Sequence, residues 1–304
     1  MAKGLREIKN RIRSVTNTGQ ITRAMQLVAS SKMKRAQDAA LAGRPYEELL
    51  SRILATALRG LNAGDEALSE HPLFAVREIK TRGILVVATD KGLCGALNSN
   101  LFRYLNKNIA AGTPARFYTI GKKATQFVAR TGRNLIADFR VSDRVNFLEV
   151  RAVGEALIKD FLDGKIDTVE IVLSQFRNTM VQTPSVIKLL PLTNLEEKLK
   201  EKQVARTGKD DFQLLEDDRE MQFSPSAGTI LSGLPALFFK QTLHQAILEA
   251  KASEQSARMV AMKAATDNAK NLVDSLSLEY NKARQAAITN EINELAASNA
   301  AGKD

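Results

Sequence analysis

The segment "GILVVATDKGLCGALNSNLF", Gly83–Phe102, carries the residue types of a phosphate-binding turn: an apolar run, a glycine turn with an acid and a lysine, and a helix start. Such a turn binds phosphate when backbone N–H groups at a helix N-terminus converge on the anion. A dinucleotide fingerprint needs G-x-G-x-x-G, and only Gly92 and Gly95 are present. A P-loop needs G-x-x-x-x-G-K-[ST]. In "IGKKAT", Ile120–Thr125, no glycine stands at the required distance, and Lys123 occupies the Ser/Thr position. The turn therefore reads as structural, with Gly92 and Gly95 allowing a tight strand-to-helix connection and Asn98 or Ser99 capping the helix. Asp90 and Lys91 still stand at the strand's C-terminal end, where sites of α/β sheets gather and a partner could be met. No G-x-S-x-G, H-E-x-x-H or Cys/His dyad is present, and the acid pairs Glu196–Glu197 and Asp217–Asp218 lie in a polar stretch where solvation explains them. One cysteine, Cys94, and two histidines, His71 and His244, are too few donors for a His/Cys metal centre. No catalytic residue, metal or cofactor is expected.

The remaining chemistry is charge. The net charge is +10 over 304 residues, and it is uneven: residues 1–44 hold ten Lys or Arg against Glu7 and Asp38, a net of +8. Residues 236–304 hold eight of each sign. The basic N-terminal segment wants an acidic partner: nucleic acid, an anionic membrane or an acidic protein surface. Within it Lys32, Lys34 and Arg35 form a cluster, which on a helix can equally be a solvated face. Near the other end, Arg284 and Glu291 are seven apart and Gln285 and Thr289 four apart, which places them on neighbouring faces of one helix.

The elements that would carry these residues are legible. Ala236–Ala301 contains neither Pro nor Gly and is rich in Ala, Leu, Glu, Lys and Gln. As a helix it is roughly 100 Å long, the scale of a coiled coil. Ile247, Ala250, Ala257, Ala261, Ala264 and Ala265 form a small-residue seam, continued by Leu272, Leu276, Ala283 and Ala286. The N-terminal stretch is its partner. Ile8, Ile12 and Val15 share one face and Ile21, Met25 and Val28 another, and the six-residue step between the sets predicts a break in the heptad. The pattern is expected to stop near Leu41, before Gly43 and Pro45, with a second helical run in "YEELLSRILATALRGL". Between the ends, strands are predicted at Ile84–Ala88, Ala115–Ile120, Leu135–Phe139, Thr168–Phe176 and Ser185–Leu190, alternating with helices. That order predicts parallel crossovers, with the last two strands an antiparallel edge hairpin. The fold class is thus α/β plus coiled coil: a helical hairpin of the two ends with an inserted Rossmann-like domain. The expected division is 1–60, 61–225 with a polar loop about 194–220, and 226–304.

Two stretches are more specific than any composition argument: "NTGQITRAMQLVASSKMKRAQ", Asn17–Gln37, and "ASEQSARMVAMKAATDNAKNLVDSLSLEYNKARQAAITNEINEL", Ala252–Leu295. Together with "ATDKGLCGALNSNLF", they closely resemble the gamma-subunit family of the rotary F-type ATP synthases, over nearly the whole chain. The resemblance implies an antiparallel N-/C-terminal coiled coil inside a hexamer of alpha and beta subunits. It implies an α/β domain that meets the epsilon subunit and the membrane c-ring, with the delta subunit touched indirectly. It implies a rotor and not an enzyme. It places Lys32, Lys34 and Arg35 opposite an acidic lever loop of the beta subunits, and puts Arg23, Met25 and Arg258 at coupling positions. Arg284, Gln285, Thr289 and Glu291 fall at polar contacts with another beta-subunit loop. The tail "AASNAAGKD", with Asn299, Lys303 and Asp304, is more polar than the small apolar tip of that family.

Two rivals are weighed against this. A nucleic-acid binder built on residues 1–44 lacks interleaved aromatics and a groove-reading motif, so no nucleic acid is expected. A nucleotide-dependent enzyme would have to use Asp90–Gly95. No apolar run approaches bilayer length, and the basic start has no signal-peptide core. The expected location is the cytoplasmic face of a bacterial inner membrane, as a peripheral protein.

Overall fold

The computed structural model describes residues 2–61, 71–109, 114–192 and 227–301. The polar loop at 194–220 and the last three residues lie outside them. Helix α1 spans Ala2–Leu61 and the final helix, α5, spans Ala227–Ala301. Between them run β1 (Arg82–Val87), α2 (Leu97–Asn108), β2 (Ala115–Ile120), α3 (Lys122–Arg130), β3 (Leu135–Phe139), α4 (Phe147–Leu162), β4 (Thr168–Phe176) and β5 (Gln182–Leu190). The chain falls into two compact units, residues 1–31 with 258–304 and residues 32–257, so the division lies within the two long helices.

The first unit is an antiparallel helix pair. Thr22 Oγ1 and Thr266 Oγ1 are 2.8 Å apart, and a Cβ built on Gly19 would stand 3.3 Å from Ala269 Cβ, so numbering rises along one helix as it falls along the other. The shielded positions on α1 are Ile8, Ile12, Val15, Gly19, Thr22, Gln26 and Ala29, and on α5 Met262, Thr266, Ala269, Val273, Leu276, Tyr280, Ala283 and Ala287. Both series alternate steps of four and three without interruption, as a heptad seam does. The expected break between Val15 and Ile21 is absent, because Gly19 and Thr22 continue the seam. Ile21 and Val28 point outward instead, and on α5 Leu272, Ala264 and Ala286 are exposed where Val273 and Ala287 are shielded. The predicted stop before Pro45 is also absent. Proline removes one helical hydrogen bond and usually kinks or breaks a helix. The bond Pro45 cannot make is the one to Leu41 O, and the helix is carried past it by Leu50 and Leu54, which are buried in a core; beside it Gln245 Nε2 donates to Ala40 O at 3.1 Å, and Gly43 lets Gln245 approach within 3.2 Å of a built Cβ.

The second unit carries a five-stranded sheet in the order β3-β2-β1-β4-β5. β1, β2, β3 and β4 pair in parallel and β5 joins β4 antiparallel at the edge, as the order of elements predicted. The central strand β1 is apolar on both faces because both are covered, whereas the edge strand β3 alternates half-buried and exposed positions. Leu85, Val87, Tyr118, Ile171 and Leu173 enter a core with Val153, Leu157 and Phe161 of α4, Leu50 and Leu54 of α1, and Phe239, Leu243 and Ile247 of α5. Ile84, Val86, Phe117 and Val172 enter the opposite core with Leu101, Leu105, Phe127 and Val128 of α2 and α3.

His244 on α5 packs edge-on to Phe147, with ring centroids 5.5 Å apart, and its buried Nδ1 lacks a hydrogen-bond partner. Burial lowers its pKa below the ordinary 6.5. The unfolded chain therefore binds more protons as pH falls through about 6.5, and the fold loses stability in that direction until His244 itself protonates. Melting curves from pH 8 to pH 5 should show a decline that flattens in His244→Phe, which keeps the ring and loses the titration. An unchanged slope in the variant contradicts this assignment.

Candidate functional site

In open α/β sheets ligands bind beyond the C-terminal strand ends at the point where strand order reverses. Here that point lies between β1 and β4. Val87, Ala88 and Thr89 of the β1 end, Asn98 of α2 and Ser174 of β4 meet Ala250, Lys251 and Glu254 of α5 across a cavity of about 10 Å³. That volume holds about one water. The long C-terminal helix fills the position of a nucleotide.

The glycine turn above this crevice differs in detail from its sequence reading. Its left-handed residues are Leu93 (φ +63°) and Gly95 (φ +58°), whereas a Cβ on Gly92 would meet nothing within 4 Å. Neither Asn98 nor Ser99 is the helix cap; Ala96 holds that position without a side-chain bond. Asn98 lies inside the first turn and points back, its Nδ2 donating to Thr89 Oγ1 at 2.7 Å. It ties the helix to the end of β1. Leu93, 60% exposed, stands at the tip of the turn and was not legible as a surface residue.

Among the described connections, the β2–α3 turn makes the most severe demand for glycine. Gly121 adopts φ +94°, and a Cβ there would fall 2.1 Å from Ala88 O. Ala88 N donates to Ile120 O at 2.9 Å and Lys123 N to Thr89 O at 3.0 Å, so this turn crosses the end of β1 in backbone contact. The failed P-loop "IGKKAT" is this crossing.

The strongest titratable cluster surrounds Asp160 at the end of α4. Tyr118 Oη donates to Asp160 at 2.5 Å, Lys165 Nζ lies at 3.1 Å and Arg116 at 3.7 Å. Burial pushes the carboxyl up, but the hydrogen bonds from Tyr118 and Lys165 and the two cationic charges outweigh it and hold its pKa below the usual value. Tyr118 is raised by burial first and by its bond to this carboxylate second. Every member is engaged, so the cluster clamps β2 to α4. Among the described residues no group of His, Cys, Asp and Glu is arranged to hold a metal.

The residues singled out from sequence lie on the two long helices. Arg23, Lys34 and Arg35 are exposed on α1, and Met25 is half-buried. Lys32 Nζ is 2.5 Å from Asp143 in the β3–α4 loop, an exposed ion pair within the second unit. Arg258 is buried. Arg284, Gln285, Thr289 and Glu291 are all exposed on α5. Sequence reasoning missed the apolar side chains among them. Ile288 and Ile292 are exposed and lie between Arg284 and Thr289 around the helix. On α1, Ile21, Leu27 and Val28 are 61%, 64% and 56% exposed. Each long helix of the first unit thus presents apolar residues interleaved with charge on the side away from its partner. The signal was present: in an uninterrupted 3–4 alternation from Ile8, positions 21, 27 and 28 fall outside the seam.

The sequence matches the family model described as ATP synthase over residues 4–301. It is 48% identical to the ATP synthase gamma chain of Opitutus terrae, covering 96% of this chain and 97% of that one. It is 42% identical to the gamma chain of Methylacidiphilum infernorum over 95% and 96%. The fold is similar to a chain of the Euglena gracilis mitochondrial ATP synthase, in a structure of its OSCP, F1 and c-ring (TM-score 0.66, 19% identity, 99% of this chain and 95% of that one). It is also similar to a chain of the Tetrahymena thermophila central stalk and c-ring (TM-score 0.58, 21% identity, 81% and 99%). With relatives this similar along nearly their whole length, the chain belongs to the ATP synthase gamma-chain family, whose members form the central rotor stalk of the F-type ATP synthase.

Proposed function

We propose that this chain is a non-catalytic shaft whose first unit turns inside a hexamer of alpha and beta chains, while its α/β unit engages the epsilon chain and the c-ring. The observation that carries this reading is the outward face of the helix pair, where Ile21, Leu27, Val28, Ile288 and Ile292 are exposed beside Arg23, Arg284 and Glu291. An isolated soluble rod gains nothing from such a face, whereas a rod inside a protein collar has a surface for it. The filled crevice supports the non-catalytic part, because Lys251 and Glu254 stand where a nucleotide would bind. No helix of the described residues is long and apolar enough to cross a membrane, so attachment to a membrane sector is through partners. With relatives from bacteria, the cytoplasmic face of a bacterial inner membrane is the location this reading implies.

The mechanism follows from asymmetry. Chemically identical beta chains differ only if something unlike touches each of them. A shaft with different side chains around its circumference makes different contacts with each and so shifts each open–closed equilibrium. Taking such an equilibrium from 1:99 to 99:1 needs about 5.5 kcal/mol of differential contact energy. Rotation then passes the affinities for ADP, phosphate and ATP around the ring. Arg23, Met25, Arg284, Gln285, Thr289 and Glu291 are assigned to that contact surface; Arg258, expected there from the resemblance, is buried within the chain and is left out of it. Lys34 and Arg35 are assigned to an acidic loop of the beta chains, with Lys32 exchanging between that loop and Asp143.

Charge reversal tests the assignment. In the assembled complex, Lys32→Glu with Lys34→Glu and Arg35→Glu should lower protons pumped per ATP hydrolysed while melting changes little, because exposed charges contribute little to folding. Wild-type pumping yield in the triple variant removes these residues from the coupling surface. Failure of the wild-type chain to co-purify with alpha and beta chains removes the shaft.

A further inference from the structure

The helix that fills the crevice is polar where it should be greasy. Eight consecutive residues of α5, Ala250–Ala257, are buried, and Lys251, Ser253, Glu254, Gln255 and Ser256 are polar. A helix buried on all sides is ordinarily apolar. The Lys251 side chain keeps 3% exposure, with its ammonium 3.9 Å from the Asp90 carboxylate on the β1–α2 turn and 3.5 Å from Glu254. Asp90 in turn accepts from the Lys122 N–H at the start of α3, at 3.1 Å. Just over one turn along, Ser256 Oγ donates to Thr179 O in the β4–β5 hairpin at 2.7 Å and accepts from Gln182 Nε2 at 3.4 Å. Lys251 and Ser256 thus grip two separate loops at the C-terminal edge of the sheet.

We propose that this segment is a register lock that holds α5 to the α/β unit in one axial and rotational setting, so that torque on the helix reaches the sheet without slip. The proposal rests on the rotor reading above. Its physical basis is the difference between apolar and polar contacts. Hydrophobic attraction is non-directional, so an apolar helix surface tolerates a small slide or twist. A polar one does not. A shift of one residue moves Lys251 by about 1.5 Å and about 100°, away from Asp90, while Glu254 on the same helix travels with it; the tie to the β1–α2 turn and the Ser256 bonds to the hairpin are then lost together. Buried ion pairs add little net stability over apolar groups of the same shape, and fixing register is their best-attested use. Lys251 and Ser256 are positioning residues: they touch no nucleotide and act through the loops they hold.

The test uses the complex assembled with its alpha and beta chains, fixed to a surface through those chains. A bead is attached to the α/β unit through Lys107→Cys on the exposed end of α2; Cys94 is buried and does not compete for the label. During ATP-driven rotation, the bead's angular variance within each dwell reads the torsional stiffness between shaft and sheet. Lys251→Met keeps the aliphatic stem and removes the charge, and Ser256→Ala removes the second grip. The double variant should raise the variance about two-fold and also lower the melting temperature, because the Glu254 carboxylate stays buried without that cation; adding Glu254→Gln should restore much of the melting temperature and leave the variance high. Lys251→Arg, which restores the cation, should return the single-site variance to wild type. Wild-type variance in the double variant overturns the lock. So does greater variance that tracks a lower melting temperature and is not rescued by Lys251→Arg, since that marks a role in folding alone. A wild-type complex whose bead never turns refutes the rotor reading itself.

Discussion

Replacing Gly121 by alanine should cost more stability than any other single methyl group added to this chain. Two penalties combine. The residue sits at φ +94°, outside the regions open to residues with a Cβ, which costs on the order of 1–3 kcal/mol. The added carbon would also lie 2.1 Å from the carbonyl oxygen of Ala88, a backbone atom that cannot turn aside. Relief requires the β2–α3 turn to lift from the end of β1, and the Lys123 N–H to Thr89 O bond at 3.0 Å goes with it. The combined loss is about 3–5 kcal/mol, in the range reserved for strain and overpacking at fixed backbone. For a unit of this size that is a fall of roughly 10 °C in melting temperature. Gly92→Ala is the matched control, since a Cβ there meets nothing within 4 Å. Equal melting temperatures for the two variants would contradict the backbone crossing described here.

The second large effect concerns assembly. Serine at Ile21, Leu27 and Val28 together should leave the melting of the isolated chain nearly unchanged, because all three point away from the helix pair. In the complex the outcome should differ. Full burial of such side chains is worth about 1.5–3 kcal/mol each, and they are already partly shielded, so about 3 kcal/mol is at stake for the three. That corresponds to roughly a hundred-fold weaker association with the alpha and beta chains. Association measured by titration of labelled chain into the hexamer decides it. Unaltered affinity would mean that this face meets no collar, and a lower melting temperature of the free chain would mean that these residues pack within it.

The contrast between those residues and the strands shows what a sequence makes legible. β1 announces itself because a central strand covered on both faces is an unbroken apolar run, Ile84–Val87; β4 is apolar from Val169 to Leu173 except for Glu170, whose buried carboxylate is matched by Arg82 of β1. The crossing order then leaves β5 only the edge. The seam of the helix pair is harder. Its inward positions include Gly19, Thr22 and Gln26, which look like surface, while Ile21 and Val28, which look like core, face outward. Hydrophobicity misleads there because a pair of helices has one narrow seam, and apolar residues outside it stay exposed. Pro45 misleads for a related reason: the propensity to end a helix is local, and the burial of Leu50 and Leu54 that carries the helix past it is not. The filling of the sheet crevice by Lys251 and Glu254 was invisible, because it joins residues more than 150 positions from the β1 end. Of the residues assigned to partner contact, Arg23, Arg284, Gln285, Thr289 and Glu291 are exposed, as a partner surface requires, whereas Lys32 is paired with Asp143 and Arg258 is buried.

One cross-link tests most directly whether the two ends of the chain form a single axle. Cysteines at Gly19 and Ala269 would have their Cβ atoms 3.3 Å apart, a few tenths of an ångström inside disulfide geometry. On mild oxidation of the assembled complex they should join quantitatively, and proton pumping per ATP should remain at the wild-type value, because helices that turn as one body lose nothing by being tied. A pair that resists oxidation, or a tied pair that stops pumping, would contradict the account.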